Sequence, residues 1–330
     1  MKVHIVTGVF LFALALVVAE RLPGQAQQTS AAPPQADTGS NPPLANPLKV
    51  ALLKWYTANQ TTSFKVGVQP LGMAFDGENM WVVNNGSYTV SKVRTSDGAV
   101  LGTFPVGNQP YGAVFDGANI WVTNGGEGTV TKLRARDGKN LGTFDAGQNP
   151  WNPAFDGANI WVPNGVTNVA TVTKLRASDG KKLGTFNTGG TSAASAVFDG
   201  TYVWVTNYGG NTVARLKPDG TNAGNFPVGS QPLGIAFDGA NIWVANNTAN
   251  TVTKIRGSDG ADLGTFNSRG AYYIAFDGQH IWVATGASVT ELKTNGEYVT
   301  GFSVPGADGI AFDGAHLWVA EFNNESVAKM

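Results

Sequence analysis

Apolar and polar positions along residues 61–330 follow one phrase that returns seven times. In residues 235–266 it reads IAFDGANIWVANNTANTVTKIRGSDGADLGTF. An apolar run ends in Phe-Asp-Gly, and short segments of the types Ile-Trp-Val, Thr-Val-Thr-Lys and Leu-Gly-Thr-Phe follow. β-Branched and aromatic residues fill these four segments, and Gly, Asn and Asp separate them, as in short strands joined by turns. The phenylalanines stand at Phe75, Phe115, Phe155, Phe198, Phe237, Phe276 and Phe312. A tryptophan follows each by six places: Trp81, Trp121, Trp161, Trp204, Trp243, Trp282 and Trp318. Spacings of 40, 40, 43, 39, 39 and 36 residues point to propeller blades rather than to the shorter coils of a β-helix.

Asp-Gly follows the first segment in all seven copies and the third in five, with Asn295-Gly296 in a sixth. These dipeptides accept the positive φ angles of tight hairpins, so each copy predicts a four-stranded antiparallel meander. The last copy supplies three segments and stops at SVAKM, while TTSFKVGVQP (61–70) matches LGTFPVGNQP (101–110). The expected fold is therefore all-β: a seven-bladed propeller closed by an N-terminal strand that completes the last blade and removes the open sheet edges. The fourteen repeated aromatics are expected to fill the wedges between blades.

The sequence before the repeats divides into three. Lys2 and the apolar run 5–19 precede Gly24-Gln25-Ala26, so residues 1–26 are expected to be a signal peptide, with an uncleaved anchor as the alternative. The expected location is export, to periplasm or exterior, with no membrane span after cleavage. Residues 27–47, rich in Pro, Ala, Ser and Gln, predict a disordered linker. Residues 48–59 place Leu48, Leu52, Trp55 and Tyr56 at helical spacing, which predicts a short amphipathic helix. The propeller is assigned to 61–330.

Composition removes several functions. The net charge is −1, so a basic surface for nucleic acid is not expected. There is no cysteine, which excludes disulfides, zinc thiolates and a cysteine nucleophile. Lys and Arg of the third segments, such as Lys92/Arg94 and Lys132/Arg134, recur with the blade and read as a solvated face.

WVTNGGEGTVTKL (121–133) and WVTNYGGNTVARL (204–216) resemble the repeats of YVTN-type propellers, which are similar to NHL-repeat proteins and to streptogramin (virginiamycin B) lyases. HLWVAEFNNESVAKM (316–330) is similar to a lyase blade. The resemblance implies a propeller fold. In the lyases it also implies histidine and glutamate around magnesium at one mouth of the ring. His4 falls in the expected signal peptide, and His280 and His316 occupy turn positions held by Asn elsewhere. The lyase site is not carried over onto them, and no catalytic residue is assigned.

In a meander, the turns after strands one and three share one face, and the loops after strands two and four share the other. The second face varies from blade to blade and is the expected binding face. Departures from the repeat mark the candidates. Blades six and seven hold Arg269, Tyr272, Tyr273, Asp308 and Glu321, expected as a polar pocket flanked by aromatics. Trp151 and Asn152 in blade three form a second departure. Asp308 and Glu321 are weak candidates for a divalent cation, with the Asn and Gln side chains as further oxygen donors; otherwise no cofactor is expected. Three readings stand side by side: a monomeric exported module binding a protein, glycan or small ligand; a metal-assisted lyase or lactone hydrolase; and a structural or display protein.

Overall fold

The computed structural model describes residues 62–166 and 168–330. The expected signal peptide, linker and amphipathic helix lie outside the described residues. Twenty-eight strands form seven four-stranded antiparallel sheets. The first strands of neighbouring blades pack against each other around a central axis, and the fourth strands lie at the rim. Blade one shows the order: Pro70–Phe75 innermost, then Asn79–Asn84, Thr89–Arg94 and Val100–Pro105. Blade seven takes its rim strand from the other end of the chain. Thr62–Lys65 pairs with Ser326–Lys329, Phe64 opposite Val327, so the ring closes as the sequence predicts.

The repeated aromatics hold the blades together. Six blade tryptophans are fully buried, and Trp282 of blade six is half-buried. Each packs against the rim-strand phenylalanine of its own blade, as in Trp81–Phe104 at 5.4 Å and Trp121–Phe144 at 5.5 Å between ring centroids. Phe64 takes the same place against Trp318 at 5.8 Å, so the closing strand reproduces the packing of every other blade. That phenylalanine also covers the turn of the next blade. A Cβ at Gly98 would come within 1.9 Å of Phe64, which together with a φ of 74° explains the glycine after Asp97.

The aspartate of Phe-Asp-Gly does more than turn the chain. Asp116 Oδ1 accepts the backbone N–H groups of Ala118 and Asn119, and its Oδ2 accepts the indole N–H of Trp121 at 2.7 Å. The indole bond recurs in all seven blades, from Asp76, Asp116, Asp156, Asp199, Asp238, Asp277 and Asp313. Tryptophan is thus the residue that can fill the wedge and satisfy the turn at once.

One expectation is corrected. The third-strand lysines are not a solvated face, since Lys92 and Lys132 are 8% and 7% exposed. Lys132 Nζ crosses to blade three and donates to the Ala177 carbonyl at 2.7 Å, lying 4.8 Å from the Trp121 ring centroid. Lys92, Lys174, Arg215, Lys254 and Lys329 bridge to their next blades in the same way. Each long stem packs over a tryptophan while its charge meets a carbonyl. The arginines two places on do reach the surface, where Arg134 pairs with Asp137.

Candidate functional site at the variable mouth

The two faces of the ring differ as the meander requires. On the Asp-Gly face, grooves of 460, 500 and 550 Å³ lie at blade junctions, lined by the repeated turn residues. They recur with the scaffold. His280 and His316 also lie there, 3.6 Å from Asp277 and Asp313 respectively. His280 further approaches Glu291 at 3.5 Å, the residue that replaces the bridging lysine in blade six.

At the opposite mouth, two positions of each blade decide what lines the opening. One is four places before the phenylalanine: Leu71, Tyr111, Trp151, Ala194, Leu233, Tyr272 and Asp308. The other is four places after the tryptophan: Asn85, Gly125, Gly165, Tyr208, Asn247, Gly286 and Phe322. They are reciprocal in size. Tyr111, Trp151 and Tyr272 lie over Gly125, Gly165 and Gly286, where a Cβ would meet the aromatic side chain within 3.2 Å or less. Where the first position is Ala194 or Asp308, the second supplies Tyr208 or Phe322. Tyr111, Trp151, Tyr208, Tyr272 and Phe322 are all half-buried. Tyr111 stacks on Trp151 at 5.0 Å and 13°, and Tyr208 closes the other side of Trp151 at 6.5 Å.

The next residue inward is usually glycine, because inner strands approach closely there. A Cβ at Gly309 would sit 1.9 Å from the Leu71 carbonyl oxygen. Blades three, four and six depart from glycine, with Asn152, Ser195 and Tyr273. In blades three and six the inner strand shrinks to Ala154–Phe155 and Ile274–Phe276, against six residues in the other five blades. Asn152 and Tyr273 occupy the freed space. The Asn152 backbone instead bridges to blade four, donating to the Ala194 carbonyl and accepting from Ala196.

The two departures that stand apart in sequence therefore meet. Burial pushes the Tyr273 phenol well above its ordinary value, and the Asp308, Asn152 and Tyr111 side chains lie near enough to modulate it; Asn152 Nδ2 itself donates to the Ser195 hydroxyl at 3.4 Å. Tyr273 is thus the point near which side chains of blades two, three and seven converge. Asp308 is half-buried. Burial alone pushes its carboxyl up to about 6, with no compensating donor or cation among the described residues.

The other predicted residues lie elsewhere. Arg269 is exposed, holds the left-handed position of its entry loop at φ 60°, and stacks 4.6 Å from the Tyr298 ring centroid on the rim strand. Gln69, Gln109, Asn149, Ser192 and Gln231 take the same backbone conformation in their blades, so Arg269 is a turn residue. Glu321 is 6% exposed and accepts the Ser326 hydroxyl at 2.7 Å inside blade seven. It stands in place of a buried asparagine such as Asn124, whose Oδ1 accepts Gly107 N–H and whose Nδ2 donates to Thr129 and Thr131. Those asparagines are blade clamps and do not add oxygens at the mouth. Among the described residues, no group of three or more His, Asp or Glu is placed to hold a metal ion.

Asp308 has a measurable cost. Its folded-state pKa lies above the unfolded one, so its contribution to stability is fully present below about pH 4 and lost as pH rises through about 6. Asp308→Asn is expected to stabilise the protein by about 2 kcal/mol at neutral pH, after allowing for partial exposure, and by almost nothing near pH 4. Denaturant unfolding of both proteins at the two pH values reads this; an equal effect at both would contradict it.

The fold is found in other proteins. A streptogramin B lyase structure superposes with a TM-score of 0.71 at 17% identity, covering 82% of this chain and 96% of that one. Virginiamycin B lyase from Staphylococcus aureus gives 0.71 at 16% identity, covering 82% and 98%. Kuenenia stuttgartiensis hydrazine synthase gives 0.70 at 17% identity, covering 79% and 95%. No protein-family model matches the sequence, and no curated protein matches it. The chain is a seven-bladed β-propeller of the streptogramin-lyase fold type, and at these identities the likeness carries fold alone.

Proposed function

We propose that this chain is an exported binding module that takes a ligand at the mouth lined by Trp151, Tyr272 and Asp308. One observation carries the reading: side chains that break the repeat converge there, half-buried, around a carboxylate without a partner. Apolar walls with a few convergent polar groups are the general makeup of ligand sites, and a rigid ring holds the loops in place. Thermal-shift screening of peptides, glycans and small molecules tests it. A genuine ligand raises the melting temperature of the parent protein and loses that effect in both Trp151→Ala and Tyr272→Ala. If the stabilisation by every such ligand survives both changes, the site is elsewhere.

A lyase or lactone hydrolase at the same mouth is the second reading, favoured by the fold and by a carboxyl that burial pushes up to about 6. The histidine–glutamate–magnesium arrangement implied by the lyase resemblance does not fit these residues. His280 and His316 sit on the far face, and Glu321 is turned onto Ser326. No step through a metal is derived. Lactone opening by the purified protein, abolished in Asp308→Asn, would favour this reading over simple binding.

A further inference from the structure

We infer that the mouth selects organic cations of the ammonium type. The inference rests on the binding reading above and names its ligand class. Among the seven positions four places before the blade phenylalanines, Asp308 is the one charged residue, and the others are apolar or aromatic. Five half-buried aromatics stand in the two columns at this end of the ring, Tyr111, Trp151, Tyr208, Tyr272 and Phe322, and the first three pack in a row. Aromatic faces carry negative quadrupole potential, so a ring of them favours a cation and gives an anion nothing.

Two basic residues on this side of the ring are engaged elsewhere: Lys65 donates to the Asn324 carbonyl at 2.7 Å, and Arg269 stacks on Tyr298 at the rim. The bridging lysines donate to carbonyls at blade junctions next to the Asp-Gly turns, on the far side of the ring. Asp308 is therefore held in an apolar setting without a counter-charge among the described residues. A partly desolvated carboxylate is costly to maintain, and an incoming cation would offset that cost. An inorganic divalent ion is a poorer match, since it wants several oxygen ligands while the other wall groups are mainly rings. An alkylammonium group presents both charge and apolar surface, and so complements carboxylate and rings together.

Choline chloride is the probe, titrated calorimetrically against the propeller at matched ionic strength with sodium chloride as control. Its uncharged isostere, with carbon in place of the quaternary nitrogen, is titrated in parallel. Saturable choline binding is expected, at least tenfold tighter than the isostere and weakened at least tenfold by Asp308→Asn. This variant is expected to be more stable than the parent, so a loss would not reflect misfolding. Equal affinity for choline and isostere, or unchanged affinity in Asp308→Asn, would overturn the inference. Uncharged sugars and lactones form the last arm. If one of these binds in a Trp151- and Tyr272-dependent way while choline does not, the cation class falls and the binding site stands. If no probe of either kind binds, the cation class falls.

Discussion

Asp116→Ala will cost about 3 kcal/mol of folding stability, more than a turn residue on a surface normally commands. The substitution removes the acceptor for the Trp121 indole, whose ring is fully buried. An orphaned buried donor costs about 1–3 kcal/mol. It also leaves the Ala118 and Asn119 amides without their cap, at about 1 kcal/mol by analogy with helix caps. Asp116→Asn separates hydrogen bonding from shape. The amide is isosteric, yet its NH2 group must face either the indole or the backbone N–H groups, so a loss of about 2 kcal/mol is expected. Denaturant unfolding of the three proteins decides this; an asparagine variant as stable as the parent would show that shape alone is needed. Acid should weaken the same contacts together. Burial pushes the Asp116, Asp156 and Asp238 carboxyls up, but the indole, asparagine and backbone donors outweigh it and hold them below the ordinary 3.8. With folded values depressed, their stabilisation is present above about pH 4 and is lost as pH falls through the folded values.

Phe64→Ala should loosen the closing blade, costing about 2–3 kcal/mol for a half-buried phenylalanine. The ring stacks on Trp318 and covers Gly98, so it joins blade seven's closing strand to blade one. The loss has a consequence that a cavity elsewhere lacks. Release of residues 62–65 exposes Ser326–Lys329 as a free sheet edge, which invites pairing between molecules. Light scattering during mild heating should therefore rise earlier for Phe64→Ala than for a destabilised inner-blade variant such as Asp116→Ala. Identical onset at matched stability would argue that this strand does not guard an edge.

Much of the architecture is legible in the repeat because repetition averages out local accident. Seven Phe-Asp-Gly motifs with tryptophan six places on specify blade number, strand order and the two faces. Within one strand, a cation alternating with apolar residues has the pattern of a solvated face, and a lysine's burial cannot be read there. Its acceptor, such as the Ala177 carbonyl for Lys132, lies on another blade 45 residues away. Glu321 looked like a mouth ligand because replacing a repeated asparagine marks a departure. The asparagine's own work, clamping Thr129 and Thr131 in blade two, shows that the position points into the sheet. Tyr111, Tyr208 and Phe322 join the predicted residues at the mouth, and the sequence carries a signal for them. The reciprocity of Tyr111 with Gly125, and of Ala194 with Tyr208, can be read by aligning the copies at two columns together. The meeting of Asn152 with Tyr273 could not be read, because it depends on shortened inner strands in two blades set apart around the ring.

The mouth exists only if the first strand of each blade is innermost and a single sheet holds both Thr62–Lys65 and Ser326–Lys329. The chain has no cysteine, so a designed pair reports on that sheet without background. Ser63 and Ala328 are direct cross-strand partners. Opposed residues of an antiparallel pair lie about 4.5–5.5 Å apart at Cα, within disulfide reach. The measurement is thiol titration with intact mass of Ser63→Cys/Ala328→Cys after mild oxidation. The account predicts one intramolecular disulfide in nearly every monomer and no free thiol; two free thiols, or disulfides found only between molecules, would contradict it.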